Sequence, residues 1–373
     1  MAATDTAHHA ARPIKRITDA DAIAMLEEGS LLELGRMAHA ACMSLHPEPY
    51  RTYVVDRNIN YSNICTAHCT FCNFKARPDS PSGYVLSREE LVQKIDELLA
   101  IGGTQILLQG GLVPGEMLGF GWYCDLLRFI KQHSPDIHLH AFSPPEILAF
   151  SQRFDMPIRD VLLALREAGL DTIPGGGAEI LVDRVRDRIS VGKARTEAYL
   201  EVMRQAHLIG MRTSVTMMFG HIETIPERIE HLRRIRELQD ETGGFTAFIG
   251  WTFQPAGTAL GRAPSLPPDP DVPPDGRHLV LADAHEYLKM LCVARLYLDN
   301  VMNLQASWVT QGPQVGQLAL FFGANDMGSV MMEENVVSAA GTTYQLSEGD
   351  IRELITEAGW HPRRRNGYYQ LLE

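Results

Sequence analysis

The feature that most constrains this chain is a repeated exchange of two hydrophobic periods. Short apolar, β-branched runs occur at 51–59, 104–110, 136–142, 170–175, 212–220, 244–252, 301–307 and 318–324, and longer amphipathic stretches separate them. The amphipathic stretches carry helix signals: SREELVQKIDELLAIG opens with Ser87 and Glu90 in capping-box spacing and stops at glycine. Strands alternating with helices in this way predict an α/β fold, a (β/α)8 barrel of the TIM type rather than an open sheet. In such a barrel the loops after the strands share one face, so residues distant in sequence meet there.

The alternation also sets the domain organisation. Residues 1–50 read as an N-terminal helical extension, with Thr18 and Asp19 as caps and Ile23, Leu26, Leu31 and Leu34 at helical spacing. The barrel occupies 51–330, and 331–373 form a C-terminal helical extension packed on it, with a helix over 347–359. The proline-rich stretch 261–276 suits neither helix nor central strand and is expected to be an inserted surface loop, because the alternation resumes after it.

Composition narrows the function classes. The net charge is −12, with 34 Lys and Arg against 46 Asp and Glu, which argues against sequence-independent binding to nucleic acid. Arg363, Arg364 and Arg365 are read as a solvated tail segment. No apolar run is long enough to span a bilayer and the N-terminus lacks a secretory h-region, so a soluble, cytoplasmic protein is expected, without membrane insertion. Six cysteines form no disulfide framework: Cys42, Cys124 and Cys292 are scattered, whereas Cys65, Cys69 and Cys72 crowd into NICTAHCTFCNF directly after the first strand.

Three thiols at that place suit a soft metal. A closed structural zinc site takes four ligands, commonly two C-x2-C pairs, and the second pair is missing; His68 could serve as the fourth only in a strained loop. A cubane iron–sulfur cluster normally takes four thiolates, so three would leave one iron open to a small molecule. The spacing C-x3-C-x2-C, with Phe71 before the last cysteine, resembles the signature of the radical S-adenosylmethionine (SAM) superfamily. That resemblance implies a 4Fe–4S cluster held by Cys65, Cys69 and Cys72, SAM on the open iron, and a 5'-deoxyadenosyl radical.

Further segments fit the same resemblance. LLQGG places Gln109, Gly110 and Gly111 at the end of the second strand, similar to the superfamily's glycine-rich element for the SAM amino group, although Leu112 stands where an acidic residue is usual. PGGGAEI presents Glu179, a candidate to accept hydrogen bonds from ribose hydroxyls, or simply a first-turn glutamate favoured by the helix dipole. Phe71 and Phe74 either pack on adenine or anchor the loop. FGHIET brings His221 and Glu223 to the end of the fifth strand, where a pair of this kind can move protons or be structural. Of His138 and His140, two apart, one is read as lining the barrel, in preference to a two-histidine metal site.

RNINYSNIC, HLHAFSPPEI, GGFTAFIGWTFQP, SWVTQG and GANDMGSVMMEENV resemble the family of cyclic dehypoxanthinyl futalosine synthases of the futalosine route to menaquinone, over residues 14 to the end. Gly250 departs from the proline expected there. The resemblance implies that the radical takes the C4' hydrogen of dehypoxanthine futalosine, and that the C4' radical then adds to the attached benzoate ring. It also implies a reductase or a flavodoxin- or ferredoxin-type electron donor. Candidates for the base that removes the final proton are His221, Glu223, Asp326 and Glu333; Arg57, Arg184 and Lys193 are candidates for the substrate carboxylate. Aminofutalosine synthase and the deazaflavin-cofactor synthases share the early motifs and remain alternatives, as does, from another class, a non-radical iron–sulfur or zinc-binding protein.

Overall fold

Tyr50–Val54 (β1) and Asp56–Asn60 (β2) are two halves of one buried run interrupted only at Val55, and the whole architecture is organised around it. The computed structural model describes residues 16–262, 279 and 281–372; of the proline-rich stretch, 263–276 lie outside the described residues. The remaining strands are His68–Cys69 (β3), Gln105–Gln109 (β4), His138–Ala141 (β5), Thr172–Ile173 (β6), Ser190–Val191 (β7), Arg212–Phe219 (β8), Phe245–Thr252 (β9), Asn303–Gln305 (β10), Asp326–Ser329 (β11) and His361–Arg364 (β12).

Ten of these form one sheet in the order β12-β1-β11-β10-β9-β8-β6-β5-β4-β2, every pairing parallel. β1 pairs with β11 while β2 pairs with β4, so the sheet curls until its two ends meet in the single run 50–60. That is the TIM-type α/β arrangement, with helices between successive parallel strands. Apolar side chains fill the space between sheet and helices, and the helix Ala284–Tyr297 is buried continuously from Tyr287 to Tyr297 because the helix Leu31–Leu45 packs on it. Ser87 caps its helix with Glu90 as the sequence predicts, and Thr18 is the cap of Asp19–Glu28, but its reciprocal partner is Asp21 and Asp19 is already the first helical residue. No described helix is long and apolar enough to cross a membrane.

Two expectations are corrected. Residues 318–324 are not a strand: the helix Pro313–Ala319 ends there in a turn, and the strand beside β1 is Asp326–Ser329. A short apolar run fits a buried helix end as well as a strand, whereas the true strand, DMGS, is buried without an apolar pattern.

The C-terminal extension is also not purely helical. After the helix Glu348–Glu357, β12 pairs with β1 from Tyr50↔His361 to Tyr53↔Arg364. Arg363 and Arg364 therefore belong to the sheet, and Arg365 follows β12 directly. Arg363 is exposed, but Arg364 bonds Glu348 and the Gly102 carbonyl, and Arg365, only 3 % exposed, enters the barrel. It is not a solvated tail.

Candidate active site

The loop after β2 is fastened on two sides. Within itself, Cys65 N–H donates to Ala76 O at 2.9 Å and Ala76 N–H to Asn63 O at 2.8 Å. Across the mouth, β3 pairs antiparallel with β7, and Thr70 N–H donates to Ile189 O at 2.8 Å. The cysteine loop is thus tied to the segment between β6 and the helix Thr196–Leu208, which carries Gly175, Gly176, Gly177, Glu179 and Lys193. The amides of Ala67 and Leu112 point at Cys65 Sγ, at 3.4 and 3.3 Å. Burial pushes the Cys69 thiol up to about 11; a bound metal ionises such a thiol outright.

All three thiols open onto one cavity of about 370 Å³, which continues down the barrel axis. Alternate residues of the first strand, Asp56, Asn58 and Asn60, face into it, as the two-residue period of a strand requires. Lower on the wall stand Gln105, His140 and Ser214, Trp251 stands near the mouth at the end of β9, and Arg365 and Tyr369 form part of the floor. Asp56 accepts from Gln105 Nε2 at 2.8 Å and from Ser329 Oγ, and burial pushes its carboxyl up.

Glu179 sits at the mouth with φ of 41°, a left-handed conformation unusual for a residue with a side chain. Its carboxylate is 4 % exposed; Oε1 accepts from Lys193 Nζ at 3.0 Å, while Oε2 accepts no hydrogen bond and lies 3.6 Å from Arg186 Nη1. A buried carboxylate oxygen left without a donor is a vacancy for hydroxyl groups. The neighbouring glycines are set by packing, since a Cβ on Gly175 would meet Val215 Cα at 2.5 Å.

Among the described residues no group of three or more His, Cys, Asp or Glu side chains converges on a point where one metal ion could sit. A cubane cluster places its irons at separate corners, so three thiols surrounding a volume suit it without convergence. The donor set, the adjoining cavity and the unpaired oxygen of Glu179 fit a cluster together with a nucleoside-bearing ligand.

The structure brings together Cys65, Cys69, Cys72, Phe71, Gln109, Gly110, Gly111 and Glu179, all on the one cavity. The two glycines have a packing cause: a Cβ on Gly110 would lie 2.3 Å from the Tyr61 ring, and one on Gly111 would lie 2.1 Å from Ile64 O. Phe74 lines the same cavity, and Lys193 Nζ lies 5.4 Å from the Phe71 ring centroid.

The four candidates for the base do not line this cavity. Glu223 accepts from the amides of Gly220 and His221 and from Arg228 Nε, at 2.6, 2.9 and 2.8 Å. Against the cost of burial, His221 and Arg228 hold its carboxyl well below the usual carboxylate range. His221 is turned to Met218 O at 3.0 Å, Asp326 is taken by Arg365 and Thr52, and Glu333 by Arg57 and Lys94. Arg57 and Arg184 likewise serve ion pairs, with Glu97 and Glu227, away from the cavity; of the cations considered, only Lys193 reaches it. Gly250 lies inside β9 opposite Met217 rather than in a loop. Sequence reasoning missed Asp56, Glu146, Lys75, Arg365 and Tyr369 on the cavity wall. Strand parity from Asn58 and Asn60 could have found Asp56; the floor residues had no signal once β12 was unread.

Comparison with known proteins agrees with this geometry. Residues 59–235 match the radical SAM superfamily and residues 242–373 match the CofH/MqnC C-terminal region. The cyclic dehypoxanthine futalosine synthase of Halalkalibacterium halodurans is 42 % identical over 358 residues, covering 96 % of this chain and 92 % of that protein. A 5-amino-6-(D-ribitylamino)uracil–L-tyrosine 4-hydroxyphenyl transferase of Methanopyrus kandleri is 38 % identical, over 90 % of this chain and 88 % of that one. The crystal structure of methylornithine synthase, 21 % identical, superposes with a TM-score of 0.69 over 94 % of this chain and 95 % of its own, which shows a shared fold. With identity sustained along nearly the whole length of both chains, the protein belongs to the radical SAM superfamily, enzymes that use a 4Fe–4S cluster and S-adenosylmethionine.

Proposed function

We propose that the chain converts dehypoxanthine futalosine to cyclic dehypoxanthine futalosine in menaquinone biosynthesis. The observation that carries this reading is the end-to-end similarity to a synthase of that name, joined to a cavity in which thiols and Glu179 stand above a chamber of polar and aromatic groups. In this reading Cys65, Cys69 and Cys72 hold three irons of the cluster, Glu179 Oε2 accepts ribose hydroxyls of SAM, and Phe71 and Gln109 border its nucleoside. When bound, the cluster and SAM supply a radical able to take the C4' hydrogen of the substrate ribose.

The rest of the work falls to the barrel wall. Asn58, Asn60 and Gln105 offer amides to the ribose hydroxyls, and Trp251 and Ile249 offer apolar surface to the benzoate ring. Holding C4' against that ring turns cyclisation into an intramolecular addition of fixed geometry, and the enclosed chamber keeps water and other hydrogen donors away. Loss of one electron and one proton then restores aromaticity. A flavodoxin- or ferredoxin-type donor and a cytoplasmic setting belong to the same reading.

A second reading, a 4-hydroxyphenyl transferase, is favoured by the comparable identity of the Methanopyrus kandleri protein. A substrate panel separates the two. Dehypoxanthine futalosine alone should raise 5'-deoxyadenosine production, and tyrosine with 5-amino-6-(D-ribitylamino)uracil should not; the reverse response would transfer the chain to the second activity.

A further inference from the structure

Below the thiols, two histidines of β5 and one threonine of β6 form a hydrogen-bonded column. His140 Nδ1 and His138 Nε2 each lie 2.7 Å from Thr172 Oγ1, and His140 Nε2 lies 3.3 Å from Ser214 Oγ of β8. The pairing of His140 with Thr172 across the two strands sets this contact, and residues two apart on a strand share a face, so the imidazoles stand one above the other. His140 lines the cavity. His138 lies toward the floor, beneath which Gly367 and the Tyr368 ring pack against it, and it retains 8 % exposure.

A hydroxyl has one proton to give and two lone pairs, so at most one of the two imidazoles touching Thr172 Oγ1 can accept from it; with Thr172 O–H directed along the column, one imidazole donates and the other accepts. The column therefore has two settings that differ only in proton direction. In one, His140 Nδ1–H donates to Thr172, Thr172 O–H donates to His138 Nε2, and His140 Nε2 carries a lone pair. Ser214 Oγ, itself held by the Gly175 amide at 3.0 Å, stays beside Nε2 in either setting.

The carboxylates on the cavity wall are committed elsewhere. Asp56 is held by Gln105 and Ser329, Glu146 by Ser143, Tyr61 and the Gly110 amide, Glu334 by the amides of residues 336–338, and Glu179 by Lys193 at Oε1, its Oε2 being the oxygen assigned above to the SAM ribose.

We propose that this column is the proton exit of the cyclisation: His140 Nε2 takes the proton lost from the benzoate ring, Nδ1–H passes to Thr172 Oγ1, and the Thr172 proton passes to His138 Nε2. The proposal rests on the cyclase reading given above. In this step the ring C–H bond breaks and its electron pair restores aromaticity, while the unpaired electron leaves to a one-electron acceptor of the iron–sulfur class. Burial holds His140 down at about 3 and His138 at about 4, so both are neutral and able to accept. Low basicity suffices, because a cyclohexadienyl radical that has given up its electron is an arenium-type cation and a strong carbon acid. His140 acts as a carrier and does not store the proton.

The test is Thr172→Val, which keeps the shape and removes the hydroxyl, alongside His138→Gln and the conservative Thr172→Ser, each checked for folding by circular dichroism. In Thr172→Val and His138→Gln a single-turnover burst of 5'-deoxyadenosine should persist with dehypoxanthine futalosine, while product formation falls roughly 100-fold and an organic radical appears by electron paramagnetic resonance. Thr172→Ser should restore the product rate. In the unsubstituted enzyme that rate should bend with the deuterium fraction of the solvent, since more than one proton moves; a hydroxyl that only packs would not produce this. Wild-type product rates in folded Thr172→Val and His138→Gln overturn the relay and leave the cyclase reading standing. No substrate-dependent 5'-deoxyadenosine in the unsubstituted enzyme removes the cyclase reading, and the relay with it.

Discussion

Arg365 Nη2 lies 2.9 Å from Asp326 Oδ1, in an ion pair whose two side chains are 4 % and 0 % exposed. The pair joins the last residues of the chain to the strand that closes the barrel, and beside it Tyr369 lies against the guanidinium, 3.8 Å from ring centroid to Cζ. Removing one partner strands the other charge in the interior. Arg365→Met should therefore cost about 3–5 kcal/mol in urea unfolding, and Asp326→Asn combined with Arg365→Met should recover much of it. A loss of only about 1 kcal/mol, the scale of an exposed pair, would mean that the C-terminal segment does not close the floor.

Gly111 has no room for a side chain. A Cβ there would lie 2.1 Å from Ile64 O and 2.8 Å from Cys65 Cβ. Gly111→Ala should displace the cysteine loop, so that iron and sulfide retained per chain after reconstitution fall to less than about half while the far-ultraviolet circular dichroism is kept. Gly121, in the helix Phe120–His133, would meet nothing within 4 Å, so Gly121→Ala should load normally and gain up to about 1 kcal/mol of stability.

Glu179→Gln replaces a charged acceptor at the mouth with a neutral one. Loss of a charge-assisted hydrogen bond, worth about 1.5–3 kcal/mol, should weaken SAM binding by roughly 10- to 100-fold in calorimetry on the reconstituted protein, with iron content unchanged. Unaltered SAM affinity would remove the ribose assignment from Glu179.

His207 and His231 are buried neutral, burial lowering them from 6.5 to about 4 and about 3. As pH falls below 6.5 the unfolded chain takes up protons at these positions before the folded one does. Stability present above that value should decline progressively toward pH 3–4, and the urea midpoint should drop measurably between pH 7 and pH 5. A flat midpoint over that range would show that these imidazoles reach solvent in the folded protein.

Much of the fold was legible because parallel barrel strands bury both faces and read as apolar runs bounded by turns. Seven of the strand assignments rest on such runs, and the cap at Thr18 and the capping box at Ser87 mark their helices directly. The eighth strand was hidden because Asp326 and Ser329 are polar residues buried by partners distant in sequence, Arg365 and Asp56. The same long-range pairing hid Arg365 in a run of three arginines. Around the cavity, the clustering of Cys65, Cys69 and Cys72 was local and readable, and so was the turn that presents Glu179. Proton chemistry was not: His221 and Glu223 look poised as neighbours, yet backbone amides and Arg228 consume them. His140 becomes distinctive only when Thr172, brought in by β6, lies beside it.

The most direct measurement is anaerobic turnover of the reconstituted enzyme with reductant, SAM and dehypoxanthine futalosine deuterated at C4'. The account predicts 5'-deoxyadenosine that carries the deuterium, formed together with a cyclised product lighter than the substrate by the deuterium and one ring hydrogen. SAM cleavage that yields unlabelled 5'-deoxyadenosine and leaves the nucleoside intact would contradict it.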